Sequence, residues 1–150
     1  MITYAQNKKA KFEYEWLDTF EVGIVLEGAE VKSIRANKIS LKESYVKIKN
    51  GEVWLTQAHI PVPDYVPQYA RFNEVQDRKL LLKKKEIQKL KSKIEEKGLT
   101  LLIVNVYQPK NSKKIKCTLV LARGRKIFQK KQYLKEKSIE KEMQRQISNL

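Results

Sequence analysis

The chain is poor in the residues from which most small reactive sites are built. It has one cysteine and one histidine among 150 residues. Cys117 cannot close an internal disulfide, and no second cysteine is present to share a zinc ion. It falls in an alternating apolar run, the setting of a buried strand thiol rather than of a nucleophile, and a reducing compartment suits it. A lone His59 excludes a catalytic histidine pair and a histidine-rich metal site. Beside Ile60-Pro61, at an expected strand end, its role is a hydrogen-bonded, structural one. The five glycines form no phosphate-cradling loop. Ser33, Ser40, Ser44 and Ser92 lack the surroundings of a nucleophile elbow. The acidic pairs Glu13/Glu15, Glu27/Glu30 and Glu95/Glu96 read as solvated surface, since their neighbours offer no further cation ligands. No apolar run approaches the roughly 18–20 residues that span a bilayer. The first residues carry Lys8 and Lys9 with no apolar core behind them, so secretion is not expected. Neither a catalytic constellation nor a metal or cofactor site is expected.

What the chain has in excess is positive charge. Lysine and arginine number 32 against 17 aspartates and glutamates, a formal net charge of +15. One basic stretch runs from Arg78 to Ile87, and another starts at Arg123-Gly124-Arg125-Lys126 and continues to the end. Such a surface attracts polyanions, and nucleic acid is the first partner to expect. A merely lysine-rich, solvated surface is the competing account. A membrane-surface role would need an apolar helix face with aromatic anchors, and residues 83–97 contain no aromatic residue.

The hydrophobic residues, 41% of the chain, show where a core can form. Phe20–Leu26 reads as a buried strand. Glu30–Arg35, with apolar residues three apart, fits a short helix that turns Lys32 and Arg35 to solvent. Tyr45–Lys49 and Glu52–Thr56 alternate on either side of Asn50-Gly51, a type I′ hairpin signal. Pro61, Pro63 and Pro67 enforce a loop, the best candidate for mobility, that reaches about Val75. A helix is expected from about Arg78 to Lys97, with Ile87, Leu90 and Ile94 on one face and Gly98 as its left-handed cap. Thr100–Tyr107 and Ile115–Leu121 make a second antiparallel pair around the turn at Pro109–Ser112.

These elements predict one mainly β domain with flanking helices, α+β in class, over residues 1–122. A small antiparallel β-barrel of the OB type fits it best, and an open α+β sandwich is the competitor. Residues 123–150 form a basic tail. Ile139, Met143 and Ile147 recur every four residues, so an amphipathic helix is available, but a narrow apolar face leaves it marginal in water. The expectation is a tail disordered alone and helical when docked; a helix packed permanently on the body is the alternative. Phe128 lies within this tail either as a ring that stacks on a base or as an anchor to the barrel.

Four segments, in order, resemble the SsrA-binding protein (small protein B) family. They are Asn7-Lys8-Lys9-Ala10, the long stretch Glu21–Arg35, Arg78-Lys79-Leu80-Leu81-Leu82 with Glu86-Ile87, and Arg123–Lys131. The resemblance spans roughly Ala5 to Gln146. It implies an OB-type barrel without catalytic activity that holds the tRNA-like part of transfer-messenger RNA. It implies travel with elongation factor Tu and aminoacylated RNA to a stalled ribosome, where the tail occupies the vacant message channel at the decoding centre of the small subunit. By motif, the RNA-contacting residues it implies are Asn7, Lys8, Glu21, Lys32, Arg35, Arg78 and Lys79, with Leu80 packed beneath. Those implied for the ribosome are Gly124, Lys126, Phe128, Lys130 and Lys131. A generic OB-type RNA-binding or ribosomal protein is the second reading. The implied location is the cytoplasm of a bacterium, or an organelle of bacterial descent. The chain departs from the family's usual Asp-Lys-Arg at Gln129-Lys130-Lys131, where a carboxylate and a planar bidentate donor are replaced.

Overall fold

The computed structural model describes residues 1–148, without the side chains of residues 127, 128, 147 and 148. Strand β1 (Ile2–Gln6) leads through a short helix α1 (Ala10–Glu13) into the long strand β2 (Tyr14–Ile24). Helix α2 (Gly28–Arg35) and the hairpin β3 (Tyr45–Lys49) and β4 (Glu52–Thr56) follow. A loop containing a single 3-10 turn (Gln68–Ala70) reaches β5 (Arg78–Leu81) and helix α3 (Lys84–Lys97). Strands β6 (Thr100–Gln108) and β7 (Lys116–Gly124) precede helix α4 (Ile127–Ser148).

All seven strands join one antiparallel sheet in the order β1-β6-β7-β2-β5-β4-β3. The sheet curls until β3 packs beside β6, but no ladder joins them among the described residues. Lys91 and Ile94 of α3, with Leu99, line that seam. The result is the expected mainly β body with flanking helices, a rolled sheet that stays open along one seam.

The inner face of the roll carries the main core. Val22, Val53, Leu55, Leu80, Ile103, Val106, Leu119 and Leu121 meet Ile34 of α2 and Ile87 and Leu90 of α3 there. A smaller cluster on the outer face joins Leu102, Val104, Val120 and Ala122 to Ala10 of α1, with Tyr14 and Trp16 against it. Cys117 is fully buried on the inner face. Burial pushes its thiol up to about 12, which leaves no thiolate for chemistry near neutral pH.

Local chemistry explains the element boundaries. Asn50 (φ 55°) and Gly51 (φ 72°) take the positive angles of a type I′ turn and bring Lys49 opposite Glu52. Helix α3 begins where Glu86 reaches back to accept from the Lys83 N–H at 3.1 Å, and it stops at Gly98 in the left-handed region (φ 61°).

Two expectations are corrected. The long helix does not begin at Arg78, because residues 78–81 form β5. Arg78 and Leu80 alternate inward opposite Leu55 and Val53, and a period of two cannot be satisfied on a helix. The buried strand expected at Phe20–Leu26 is shifted and longer: β2 starts at Tyr14 and ends at Ile24.

Candidate nucleic-acid interface

Residues directly opposite one another in a sheet share a face, so register shows what four distant segments put together. Glu21 of β2 faces Thr118 of β7, Thr118 faces Asn105 of β6, and Asn105 faces Gln6 of β1. The next row runs Leu81, Gly23, Lys116, Tyr107 and Thr3. A bulge between Ile103 and Asn105 lets Val104 and Asn105 both turn outward. Gly23 packs closely in its row: a Cβ there would stand 3.1 Å from the end of the Leu81 side chain. Leu81 itself is half exposed on that face, while Leu80 is buried beneath it as expected.

At the β1 end of the first row opens a cleft of about 460 Å³, lined by Asn7, Lys8, Lys11, Trp16, Asn105 and Thr118. The Asn7 N–H donates to Val104 O at 2.8 Å, which fixes the residue at the rim. Trp16 Nε1 donates to Ala10 O at 3.2 Å, and Lys11 Nζ stands 5.3 Å from the Trp16 ring centre. Asn105 Oδ1 is buried without a hydrogen-bond partner. Burial, with the neighbouring Glu21 carboxylate adding to it, pushes the Tyr107 phenol up to about 12. Tyr107 therefore keeps its proton to donate to Glu21, an exposed carboxylate with acceptor positions to spare. The arrangement offers acceptors and amide donors for base edges, between ammonium groups for phosphate.

Further along the same face, a second cleft of about 280 Å³ is lined by Gly23, Val31, Arg35, Lys113, Lys114 and Lys116. Four cations surround it, and no acidic side chain lines it. Arg35 Nη2 donates to Lys113 O at 2.9 Å, which ties α2 to the β6–β7 turn. Glu30 helps to set the start of α2, accepting from the Glu27 N–H at 2.9 Å. Lys32 is exposed one turn before Arg35, its ammonium 5.7 Å from the Tyr65 ring centre. Lys79 is half-buried, with its ammonium 3.6 Å from the Glu52 carboxylate.

Arg78 stands apart, and its expected role is corrected. Its guanidinium is enclosed, the residue only 2% exposed. Nε donates to Glu30 Oε2 at 2.6 Å, Nη1 to Ala58 O at 2.6 Å and Nη2 to Glu74 O at 3.2 Å. A group so committed fastens α2 and the loop to β5 and presents no donor to a phosphate outside.

Of the tail residues, Gly124 closes β7 opposite Tyr14. The Lys126 N–H donates to Gln129 Oε1 at 3.0 Å, so Gln129 caps the start of α4. The root of α4 is held to α1: the Arg125 N–H donates to Glu13 O at 2.8 Å, and Lys130 Nζ lies 5.9 Å from the Phe12 ring centre. Arg125 also lies over the Tyr133 ring at 4.8 Å. Lys126 and Lys131 are exposed, and the Phe128 side chain is outside the described set. Beyond the root, Leu134, Ile139 and Met143 are each half exposed or more.

The structure thus brings Asn7, Lys8, Glu21 and Arg35 onto one outward face. To these it adds Lys11, Trp16, Asn105, Tyr107, Lys113, Lys114, Lys116 and Thr118, which sequence reading did not select. The alternation of β6 and β7 marked their outward members, but only the register joins them to Glu21 and Asn7. Among the described residues no cluster of His, Cys, Asp and Glu could hold a metal ion, and no helix is long and apolar enough to cross a membrane.

The family model described as "SmpB protein" matches residues 4–149. The SsrA-binding protein of Thermosynechococcus vestitus is 47% identical over 142 residues, 94% of this chain and 91% of that protein. That of Aquifex aeolicus is 41% identical over 147 residues, 97% and 92% of the two chains. A solved structure described as "tmRNA-SmpB: a journey to the center of the bacterial ribosome" is 38% identical, with a TM-score of 0.65, covering 85% of this chain and 87% of that one.

Proposed function

From its membership of the SmpB protein family, to which this chain belongs, we propose that it binds transfer-messenger RNA and acts in trans-translation on stalled ribosomes. The observation that carries the site assignment is the outward face itself. It sets a polar row of Glu21, Thr118, Asn105 and Gln6 between a lysine-edged cleft at Asn7 and Lys8 and a cationic cleft at Arg35 and Lys116. The clefts hold phosphates; the row reads the edges of the bases between them. A net charge of +15 steers the encounter. The chemistry is recognition without bond-making, and the protein is not an enzyme.

The tail does the second part of the work. Helix α4 carries six basic side chains and three acidic ones, with Leu134, Ile139 and Met143 uncovered. This suits entry into an RNA-walled channel that is empty of message. Delivery occurs together with elongation factor Tu and aminoacylated RNA, in the bacterial cytoplasm where stalled ribosomes are found. A binding competition tests the reading. Labelled transfer-messenger RNA should be held in preference to equimolar transfer RNA and unstructured RNA; equal affinity for all three refutes it.

A further inference from the structure

Two large aromatic side chains are left almost wholly in water. Tyr65 is 69% exposed and Tyr69 is 91% exposed, on the proline-bearing loop before β5. Neither contributes to the core, and a ring in water forgoes the burial that ordinarily fixes an aromatic side chain.

The loop that carries them is built rather than slack. Val62 and Val66 are buried beneath it. The Ile60 N–H donates to Glu74 O at 2.9 Å, and the Val62 N–H donates to Glu74 Oε2 at 2.6 Å. The Val66 N–H reaches Pro63 O, and the Ala70 N–H reaches Pro67 O, closing two turns. Arg78 holds Glu74 O from inside. Three prolines further limit the backbone. A segment fixed at this many points presents its tyrosines at little ordering cost to a partner.

The chemistry around the rings is cationic. Lys32 Nζ is 5.7 Å from the Tyr65 ring centre. Three residues on, and so on the same side of α2, Arg35 lines the cleft that also holds Lys113, Lys114 and Lys116. Cations that hold a backbone beside exposed rings that receive its bases are the elements of a single-strand site.

We infer that this loop is a stacking platform for unpaired RNA bases, with Tyr65 and Tyr69 as its rings and Lys32 as its flanking cation. The inference rests on the reading of the chain as an RNA-binding protein. It specifies unpaired nucleotides, which duplex RNA does not offer.

The test uses the full chain and a labelled RNA of about 12 nucleotides, single-stranded and in a duplex, read by fluorescence anisotropy. The double variant Tyr65→Ser/Tyr69→Ser should lose single-strand affinity by about tenfold or more and keep duplex affinity. Tyr65→Phe/Tyr69→Phe, which keeps the rings, should bind like the unsubstituted chain. An unchanged single-strand affinity in the Ser variant overturns the platform, as does an equal loss for both forms of RNA. A Ser variant that binds every RNA normally but fails on intact ribosomes assigns the tyrosines to a protein surface and also overturns it. Transfer-messenger RNA competition on the unsubstituted chain separates this failure from failure of the underlying reading, since that preference does not depend on the variants.

Discussion

Replacing Arg78 by alanine separates a residue that holds the fold from one that holds RNA. The substitution strands the Glu30 carboxylate, which is 1% exposed. That carboxylate retains the Glu27 N–H and a long 3.4 Å bond from Gln76 Nε2. Ala58 O loses its Arg78 donor, whereas Glu74 O still accepts from Ile60 N. Breaking one side of a buried ion pair costs about 3–5 kcal/mol. In a chain of 150 residues, that lowers Tm by roughly 6–20 °C, against a total stability on the order of 5–15 kcal/mol. The double variant Arg78→Met/Glu30→Leu removes the stranded charge with its partner. Its deficits are then Ala58 O, worth about 1–3 kcal/mol, and the lost cap at the Glu27 N–H, about 0.5–2 kcal/mol, so it should be more stable than Arg78→Ala alone by roughly 1 kcal/mol. Urea and thermal unfolding measure both. Measured where each variant is still folded, affinity for transfer-messenger RNA should stay within about threefold of the unsubstituted chain, under 1 kcal/mol. An Arg78→Ala protein that melts normally but loses RNA affinity would refute the argument and restore the guanidinium to the interface.

Three further outcomes follow from the geometry. RNA affinity should fall steeply between about 50 and 200 mM salt, because the lysine-edged clefts release counterions when they take phosphate; a flat titration counts against that face. The Glu74 carboxyl is held below its usual value of 4.5 by the Val62 N–H, with His59 and Arg71 adding to it. Its contribution to holding the tyrosine loop is therefore complete above pH 4.5 and lost as pH falls through the depressed folded value. The protection factor of the Val62 amide, its exchange rate corrected for the intrinsic pH dependence, should fall over that acid range, and Glu74→Gln should abolish that fall; an unchanged protection profile in the variant removes Glu74 as its source. Ending the chain at Lys126 should spare RNA affinity and abolish tagging of stalled peptides. Ending it at Leu121 should also lower Tm, by removing the last strand pairs of β7 and the Arg125 bond to Glu13. Equal melting of the two truncations would show that residues 122–126 do not support the body.

What could be read beforehand was whatever depended on neighbours in the chain. Asn50-Gly51 carries its own turn angles, Gly98 its own cap, and Ile87, Leu90 and Ile94 their own period. Arg78 escapes such a reading for the opposite reason. Its partner Glu30 lies 48 residues away, and a cation beside Lys79 has the outward signs of surface charge. The run Lys79-Leu80-Leu81-Leu82 has no clear period, so its attachment to the following helix was a reasonable expectation that only pairing with β4 corrects. The recognition face was half legible. Asn7, Glu21 and Arg35 followed from the family resemblance, whereas Asn105 and Thr118 acquire meaning only from register across four strands. The capping role of Gln129 could have been suspected from its place three residues after Lys126.

Helix α4 is held to α1 at its root, through Arg125 to Glu13 and Lys130 to Phe12, and this makes it a lever. Twenty-two residues extend about 33 Å at 1.5 Å each, so a tilt of about 10° at Arg125 carries the far tip some 6 Å sideways. Rotation matters as much: one residue inserted inside the helix just beyond Lys130 would turn every later side chain by about 100° around the axis. The Arg125 bond to Glu13 and the Lys130 contact with Phe12 thus act as a pivot that aims a rod, and small changes there would be read at the distal end as a miss.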